Sequence, residues 1–324
     1  VGAEFNFETM RMELTSFSAL LFNPVAQVKF VHTVAAGYVT GAVFVLAISS
    51  WYLLKGRDLG FARRSFAIAS AFGMASILSV IILGDESGYE IGDVQKTKLA
   101  AIEAEWHTEP APAAFTLFGL PNQAEQRTDY AVKIPYVMGI IATRSLDTEV
   151  TGIKDLIKQH EVRIRNGIKA YALLEKLRNG EKTAENLAAF NQHKQDLGYG
   201  LLLKKYTPAV VDASEAQIKQ AALDTIPNVA TVFWSFRLMV ASGFLMLGLF
   251  ICAFWASARK NEEKKRWLLK WALFSLPLPW IAAQTGWLVA EHGRQPWSIA
   301  EVLPVHLSTS TISAADVWGS LLAL

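Results

Sequence analysis

Four long apolar runs with almost no charge constrain this chain more than any other feature. They cover residues 26–54, 62–83, 229–258 and 267–290. A helix rises about 1.5 Å per residue, so each run can cross a hydrocarbon core roughly 30 Å thick. Inside such a core every backbone N–H and C=O must be paired within the segment, which leaves helices as the structure for runs of this kind. Charges within them are few: Lys29 near the start of the first, Arg63 and Arg64 at the start of the second, Arg237 in the third and Lys270 near the start of the fourth. Buried helices of a large soluble protein are the competing explanation, but soluble cores seldom contain four such runs.

Loop charges give the runs a direction. Lys55, Arg57, Arg63 and Arg64 lie between or just inside the first two runs. Arg259, Lys260, Lys264, Lys265, Arg266 and Lys270 lie between or just inside the last two. Short basic loops stay in the cytoplasm, and the two assignments agree because an even number of crossings separates them. The opposite ends then face outside, which in a bacterium is the periplasm. The expected fold is an all-α membrane protein of the inner (cytoplasmic) membrane. It is a transmembrane helix bundle with a long, partly helical periplasmic loop domain. Its expected parts are a periplasmic amphipathic segment (1–25), two spans with a short cytoplasmic loop (26–84) and the loop domain (85–228). Two more spans with a basic loop (229–291) follow, then a periplasmic loop (292–316) and the start of a further helix (317–324).

The rest of the composition narrows the function classes. Over all 324 residues, 52% are apolar and 19% charged, which averages the spans with one stretch of ordinary soluble character. A net charge of +2 gives no electrostatic basis for a nucleic-acid partner. The single cysteine, Cys252, excludes an internal disulfide and a cysteine zinc site. No cleavable signal pattern precedes the first run, and the last apolar run, 317–324, is too short to span. A piece of a longer membrane protein, cut at both ends, is therefore expected.

Within the loop domain, Ile153, Leu156, Ile157, Ile164, Ile168, Leu174 and Leu177 recur at helical spacing among charges and predict an amphipathic helix. A second helical pattern runs over 183–194. Pro110, Pro112, Pro121 and Pro135 mark a more irregular first half. Before the first span, Met10, Leu14, Phe17, Leu20 and Leu21 form a short amphipathic stretch suited to a membrane surface. Pro277 and Pro279 should kink the fourth span.

Several residues could carry chemistry at the outer ends of the spans. His32 shares its neighbourhood with Ala35, Ala36 and Val39 at helical spacing, with Gly37 and Gly41 just beyond; small residues there leave room for a flat macrocycle, and a neutral imidazole suits a metal or haem. The alternative is a helix-contact face, since Gly37-x-x-x-Gly41 is also a packing pattern. Met239 offers a soft thioether, with Ser242 and Gly243 on the same face; otherwise it is core packing. Arg237, inside a span, needs a partner such as a carboxylate. Glu291 suits an iron ligand or a proton relay, or else an interfacial pair with Arg294. Trp287 precedes it by one helical turn and reads as part of an electron path or as an interfacial anchor. Lys98 and Glu103 stand where the chain leaves the membrane; they could polarise a quinol and take its protons, or form part of a solvated charged helix.

Three strings go further: Gly286-Trp287-x-x-x-Glu291-x-Gly293-Arg294-Gln295-Pro296-Trp297, Lys29-Phe30-Val31-His32-Thr33 and Gly84-Asp85-Glu86-Ser87-Gly88-Tyr89. In order and spacing they resemble subunit I of the bacterial cytochrome bd-type quinol oxidases, with the quinol loop in its long form. The resemblance covers essentially the whole chain. It implies that His32 and Met239 are the axial ligands of a low-spin haem b, with Arg237 beside that haem. It implies that Lys98 and Glu103 act in quinol oxidation, that Glu291 is associated with a high-spin haem b, and that Trp287 stands between the haems. Arg294 would pair with a propionate or with Glu291. Haem d completes the family's cofactor set. The family's first four spans, with the histidine of the oxygen-site haem, have no counterpart in this sequence. The implied activity is quinol oxidation at the periplasmic face and reduction of oxygen to water, with quinol and oxygen as substrates. The implied partners are a second subunit, small accessory subunits and membrane lipid. The competing classes are a non-redox transporter or receptor with an outer ligand-binding domain, and a structural subunit that binds no haem.

Overall fold

All four apolar runs are helical in the computed structural model, which describes residues 2–6, 11–145, 147–309 and 312–323. The chain opens with an antiparallel hairpin, β1 (Ala3–Asn6) and β2 (Arg11–Leu14), and a short helix α1 (Phe17–Leu21). Leu14, Phe17, Leu20 and Leu21 of the expected amphipathic stretch are exposed; Met10 lies outside the described residues. Helix α2 (Pro24–Lys55) starts where the Asn23 side chain accepts the Ala26 N–H, with Pro24 preset for the first turn. It stops at Gly56, whose φ of 67° lets the Gly56 and Arg57 N–H groups close on Leu53 O and Tyr52 O. Helix α3 (Leu59–Val94) runs on past the expected end of the second span, and α4 (Lys96–Glu103) follows.

The proline-marked segment holds a feature that sequence periodicity did not show, an antiparallel hairpin of β3 (Phe115–Asn122) and β4 (Arg127–Ile134). Register shifts between Thr116 and Leu120 break the alternation that would have announced it. The two predicted helices are present as α5 (Ile153–Arg178) and α6 (Ala184–His193). Short helices α7 (Leu197–Leu201) and α8 (Glu215–Leu223) come next. Helix α9 (Val229–Ala258) is capped by the Asn228 side chain, which accepts the Thr231 N–H at 2.9 Å. The fourth run is broken into α10 (Arg266–Phe274) and α11 (Leu278–His292), with the break at Pro277 as the two prolines require. A small hairpin, β5 (Trp297–Ile299) and β6 (Leu303–Pro304), and helix α12 (Ala314–Ala323) complete the order.

The chain divides into two units, Val1–Asp155 with Asn228–Gly293, and Leu156–Pro227 with Arg294–Leu324. In the first, four helical stretches among the described residues are long and apolar enough to cross a membrane: Pro24–Lys55, Leu59–Gly92, Val229–Ala258 and Arg266–His292. Helix α2 packs along α3, α3 along α9 and α9 along α11, and α10 returns to α2. The helices thus close a ring with α2 and α9 at opposite corners. Its interior holds Val43, Leu46, Phe66, Leu249, Phe250, Ala253 and Leu268. Gly73 of α3 lies against the Phe250 ring of α9, so a Cβ at that position would overlap it. At the end with the basic loops, Arg63 grips Glu263 through two hydrogen bonds of 2.6 and 2.7 Å. At the other end the β3–β4 hairpin is tied down. Trp106 Nε1 donates to Thr128 Oγ1, which donates to Ala104 O, and Val229 N donates to Gln123 Oε1 at 3.0 Å.

In the second unit the signature tryptophan, Trp297, is buried edge-on against Tyr199. The Arg163 guanidinium stacks 4.2 Å over the Tyr199 ring and pairs with Asp196 at 2.7 Å and Glu301 at 2.8 Å. Gly167 and Gly200 let two helical backbones touch. The buried His160 contacts Thr225 Oγ1 at 2.7 Å, and that hydroxyl donates to Ala222 O. A hydroxyl has one proton, so His160 Nδ1 is the donor in this pair. Burial, reinforced by Arg163, holds the imidazole at about 4, so it is neutral at pH 7.

The contact between Gly73 and Phe250 makes a direct prediction. Gly73→Val should overpack the α3–α9 contact by about 1–3 kcal/mol and lower the melting temperature of the detergent-solubilised protein. At Gly243 an added Cβ meets nothing within 4 Å, so Gly243→Ala serves as the control and should melt with the parent. Equal melting of all three would show that α3 and α9 do not pack through this contact.

Candidate functional site

Helix α2 brings His32 to the end of the bundle that carries the long connection. Its ring lies against Gly84 of α3, where a Cβ would stand 3.4 Å from the imidazole Cε1. His32 Nδ1 is buried without a hydrogen bond of good geometry, and the Val80 backbone is the polar group that acts on the imidazole. A buried polar nitrogen left unsatisfied is costly and calls for a ligand. Across the ring, α9 carries Met239. Its Sδ faces Gly286 of α11, where a Cβ would approach it to 3.0 Å. Each soft or borderline donor therefore sits opposite a glycine of a neighbouring helix, and all four spans contribute. Gly37 and Gly41 are exposed and meet nothing within 4 Å at their Cβ positions, so they make no helix contact here and lie on another face of α2 than His32. An imidazole and a thioether at opposite corners of a four-helix ring are a donor set that fits a low-spin haem.

The structure turns Arg237 toward the long connection. Its Nη1 donates to Ile102 O at 2.7 Å and Phe233 O at 3.0 Å, its Nε donates to Leu117 O at 3.2 Å, and its Nη2 donates to Thr116 O. Nη2 also stands 3.6 Å from Glu103 Oε2. The guanidinium lies 3.3 Å over the Phe233 ring, a position for a cation–π contact. Glu103, at the last position of α4, is 2% exposed and accepts the Thr116 N–H at 3.0 Å. Burial pushes its carboxyl up to about 7, against the pull of Arg237 and the Thr116 N–H. Such a group changes protonation near neutral pH, as a general base should.

Lys98 is buried five residues before Glu103 on α4. Its Nζ donates to Ala290 O at 3.0 Å, near the C-terminal end of α11, where a cation complements the helix dipole. Its stem runs against Gly293; a Cβ there would come within 3.1 Å of Lys98 Cγ. Glu291 is half-buried in the last turn of α11, and Trp287, four residues earlier, is 61% exposed. The next residue, His292, has a buried Nε2 without a partner. Arg294 falls in the second unit, half-buried, with its carbonyl accepting the Trp297 N–H at 3.0 Å.

The structure thus brings Glu103 together with Arg237, and Lys98 together with the end of α11. Sequence reasoning missed the partners that do this. Thr116 is an ordinary strand residue until the hairpin register is known. Gly84, Gly286 and Gly293 stood inside the recognised strings, yet only packing reveals which side chain each one faces. A further cluster, Glu105, Glu109 and Lys133, lies beyond Glu103 and also went unread, because its members come from two different segments.

Residues 1–324 match the family described as cytochrome bd terminal oxidase subunit I. The chain is 48% identical over 323 residues to cytochrome bd-II ubiquinol oxidase subunit 1 of Escherichia coli (strain K12), covering 100% of this chain and 63% of that protein. It is 27% identical over 320 residues to cytochrome bd ubiquinol oxidase subunit 1 of Bacillus subtilis (strain 168), covering 98% of this chain and 56% of that protein. The chain therefore spans less than two thirds of the length of these relatives. The solved bd oxidase from Geobacillus thermodenitrificans shares the fold, with a TM-score of 0.67 at 23% identity, over 99% of this chain and 59% of that one. With the family matched from the first residue to the last across this ring of membrane-length helices, the chain belongs to the cytochrome bd terminal oxidase subunit I family.

Proposed function

We propose that this chain supplies the quinol-oxidising site and the low-spin haem b site of a respiratory quinol:oxygen oxidoreductase. One observation carries the proposal. Glu103, a buried carboxyl poised near neutrality, is paired to Arg237, two residues before Met239 on α9. A proton acceptor and a donor atom for an electron-accepting centre are thereby fixed to one helix. Quinol oxidation needs both, since it releases protons and electrons together.

Quinol enters from the bilayer at the end of the bundle that carries Glu103 and Lys98, which the basic loops at the opposite end assign to the periplasmic face. The Glu103 carboxylate takes a proton from a quinol hydroxyl. The Lys98 ammonium, held by Ala290 O, supplies the positive charge that favours the departing oxyanion. His32 and Met239 would hold the low-spin haem b, which when bound accepts the electrons of the quinol one at a time. Glu291 would serve a high-spin haem b, Trp287 the path between haems, and Arg294 a propionate. Haem d, oxygen reduction, the second subunit, small accessory subunits and surrounding lipid belong to the whole oxidase. Arg237 acts here as the anchor of the quinol segment, through the carbonyls of Ile102, Thr116 and Leu117.

Reduced-minus-oxidised absorption spectra of the whole oxidase test the ligands. His32→Ala and Met239→Ala should each abolish or shift the low-spin haem b signal. A parental signal in both variants, or no haem b signal in the parent, would overturn the assignment; the latter would favour a transporter or receptor.

The quinol site has its own pH signature. Glu103 accepts a proton only as a carboxylate, so turnover should rise as the pH climbs through about 7 and level off above it. Glu103→Gln should lower turnover about a hundredfold, with haem content unchanged, and should flatten that rise. A Gln variant with parental turnover and pH profile would remove Glu103 from the reaction.

A further inference from the structure

Beyond Glu103 lies a group of titratable side chains to which the reaction above gives no task. Lys133 Nζ stands 2.7 Å from Glu105 Oε2 and 3.2 Å from Glu109 Oε1. Two carboxylates thus share one ammonium. With all three ionised the cluster carries one surplus negative charge, so it can take up one proton without becoming a net cation.

The backbone places this cluster next to Glu103. Helix α4 ends at Glu103, and the left-handed φ of 51° at the capping residue Ala104 lets the Glu105 N–H close on Ala100 O at 3.0 Å. Glu103 and Glu105 therefore flank a single tight turn. Lys133 is the cross-strand partner of Thr116, the residue whose N–H holds Glu103. Glu109 is fixed by a pair of backbone hydrogen bonds with Val150, at 3.1 and 3.2 Å. Side-chain exposure climbs in steps, from 2% at Glu103 to 12% at Glu105, 23% at Glu109 and 34% at Lys133. The series leads from a buried acid to water. The charged groups that act on Glu105 are Lys133, which favours its ionised form, and Glu109, which opposes it; Glu103 lies on its inner side, backed by Arg237. Burial is the largest influence on Glu105 and raises its carboxyl, as it does that of Glu103.

We propose that Glu105, with Lys133 and Glu109, is the proton-release branch of the quinol site, taking each proton from Glu103 and passing it to bulk water. The proposal rests on Glu103 being the quinol-proton acceptor. In the first step a quinol O–H bond breaks, its proton bonds to Glu103, and the electrons leave by the redox route of the oxidase. In the second step the Glu103 O–H bond breaks as a Glu105 O–H bond forms. Glu103 returns to carboxylate, ready for the second quinol proton. The proton on Glu105 then leaves by way of Glu109 to solvent, and no electron moves within the branch. Glu105 touches no substrate in this scheme and acts through Glu103 as a positioning residue for the proton.

The test uses the complete oxidase with its partner subunit and a short-chain ubiquinol. Turnover, KM, the solvent isotope effect and the haem spectrum are compared for Glu105→Gln, Glu105→Asp, Lys133→Gln and Glu103→Gln. Glu105→Gln should lower kcat about a hundredfold, raise the solvent isotope effect and leave KM and the haem spectrum as in the parent. Glu105→Asp, which keeps a carboxylate, should recover most of the loss. Parental kcat and isotope effect in Glu105→Gln, beside an impaired Glu103→Gln, would overturn the branch alone. Parental turnover in both variants would overturn the quinol-site assignment and the branch together. A raised KM with unchanged kcat would show a binding role and also overturn it. Should Glu105→Gln lose its haem spectrum, Lys133→Gln decides: slowed turnover with a raised isotope effect supports the branch, and parental kinetics overturn it.

Discussion

An arginine inside an apolar helix is tolerated only when its charge and its N–H donors are satisfied within the protein, and Arg237 shapes this structure through that requirement. Its partners on the long connection are the carbonyls of Ile102, Thr116 and Leu117 and the carboxyl of Glu103. Satisfying the arginine therefore fixes the end of α4 and the start of β3 against α9. Glu103 is buried because this closure buries it. Its raised protonation range follows from the same burial. Such a pair is weak evidence of added stability, because desolvation offsets much of the attraction. Its consequence is positional: a carboxyl that would prefer water is kept dry beside the helix that bears Met239.

The spans were legible because hydrophobicity over a membrane thickness is a property of single segments. The break in the fourth was legible for the same reason, since Pro277 and Pro279 act on their own helix. The hairpin of Phe115–Asn122 and Arg127–Ile134 was not, because its bulges destroy the two-residue alternation by which a strand is recognised. Helix packing was only half visible. Gly73 and Gly286 are plain glycines in the sequence; that one receives Phe250 and the other faces Met239 depends on which helices become neighbours.

The candidate site divides along the same line. His32 and Glu291 could be named from the strings in which they occur, and Met239, Lys98 and Glu103 from residue type and position. The relations among them could not. Arg237 was expected to need a partner such as a carboxylate, and the structure gives it Glu103 together with a set of backbone oxygens. Lys98 was expected to face quinol, and its ammonium is also bonded to Ala290 O, where it neutralises the end of α11. Both are long-range contacts between segments that no local pattern links.

In the proposed quinol site these contacts would bear on how protons and electrons part company after they leave one substrate. Met239 faces Gly286 where α9 packs against α11, and the interior of the helix ring is apolar. The carboxylates of Glu105 and Glu109 lie the other way, along the hairpin, with exposure rising from each to the next. Arg237 stands between the two directions, its cation held by Glu103 on the hairpin side. A proton moving past it toward the ring would have to approach a fixed positive charge in a medium of low dielectric, where such repulsion is strong. A proton moving along the hairpin meets carboxylates and then water. Arg237, which folds the segment onto α9, would therefore also set the direction in which a proton released at the proposed quinol site leaves Glu103.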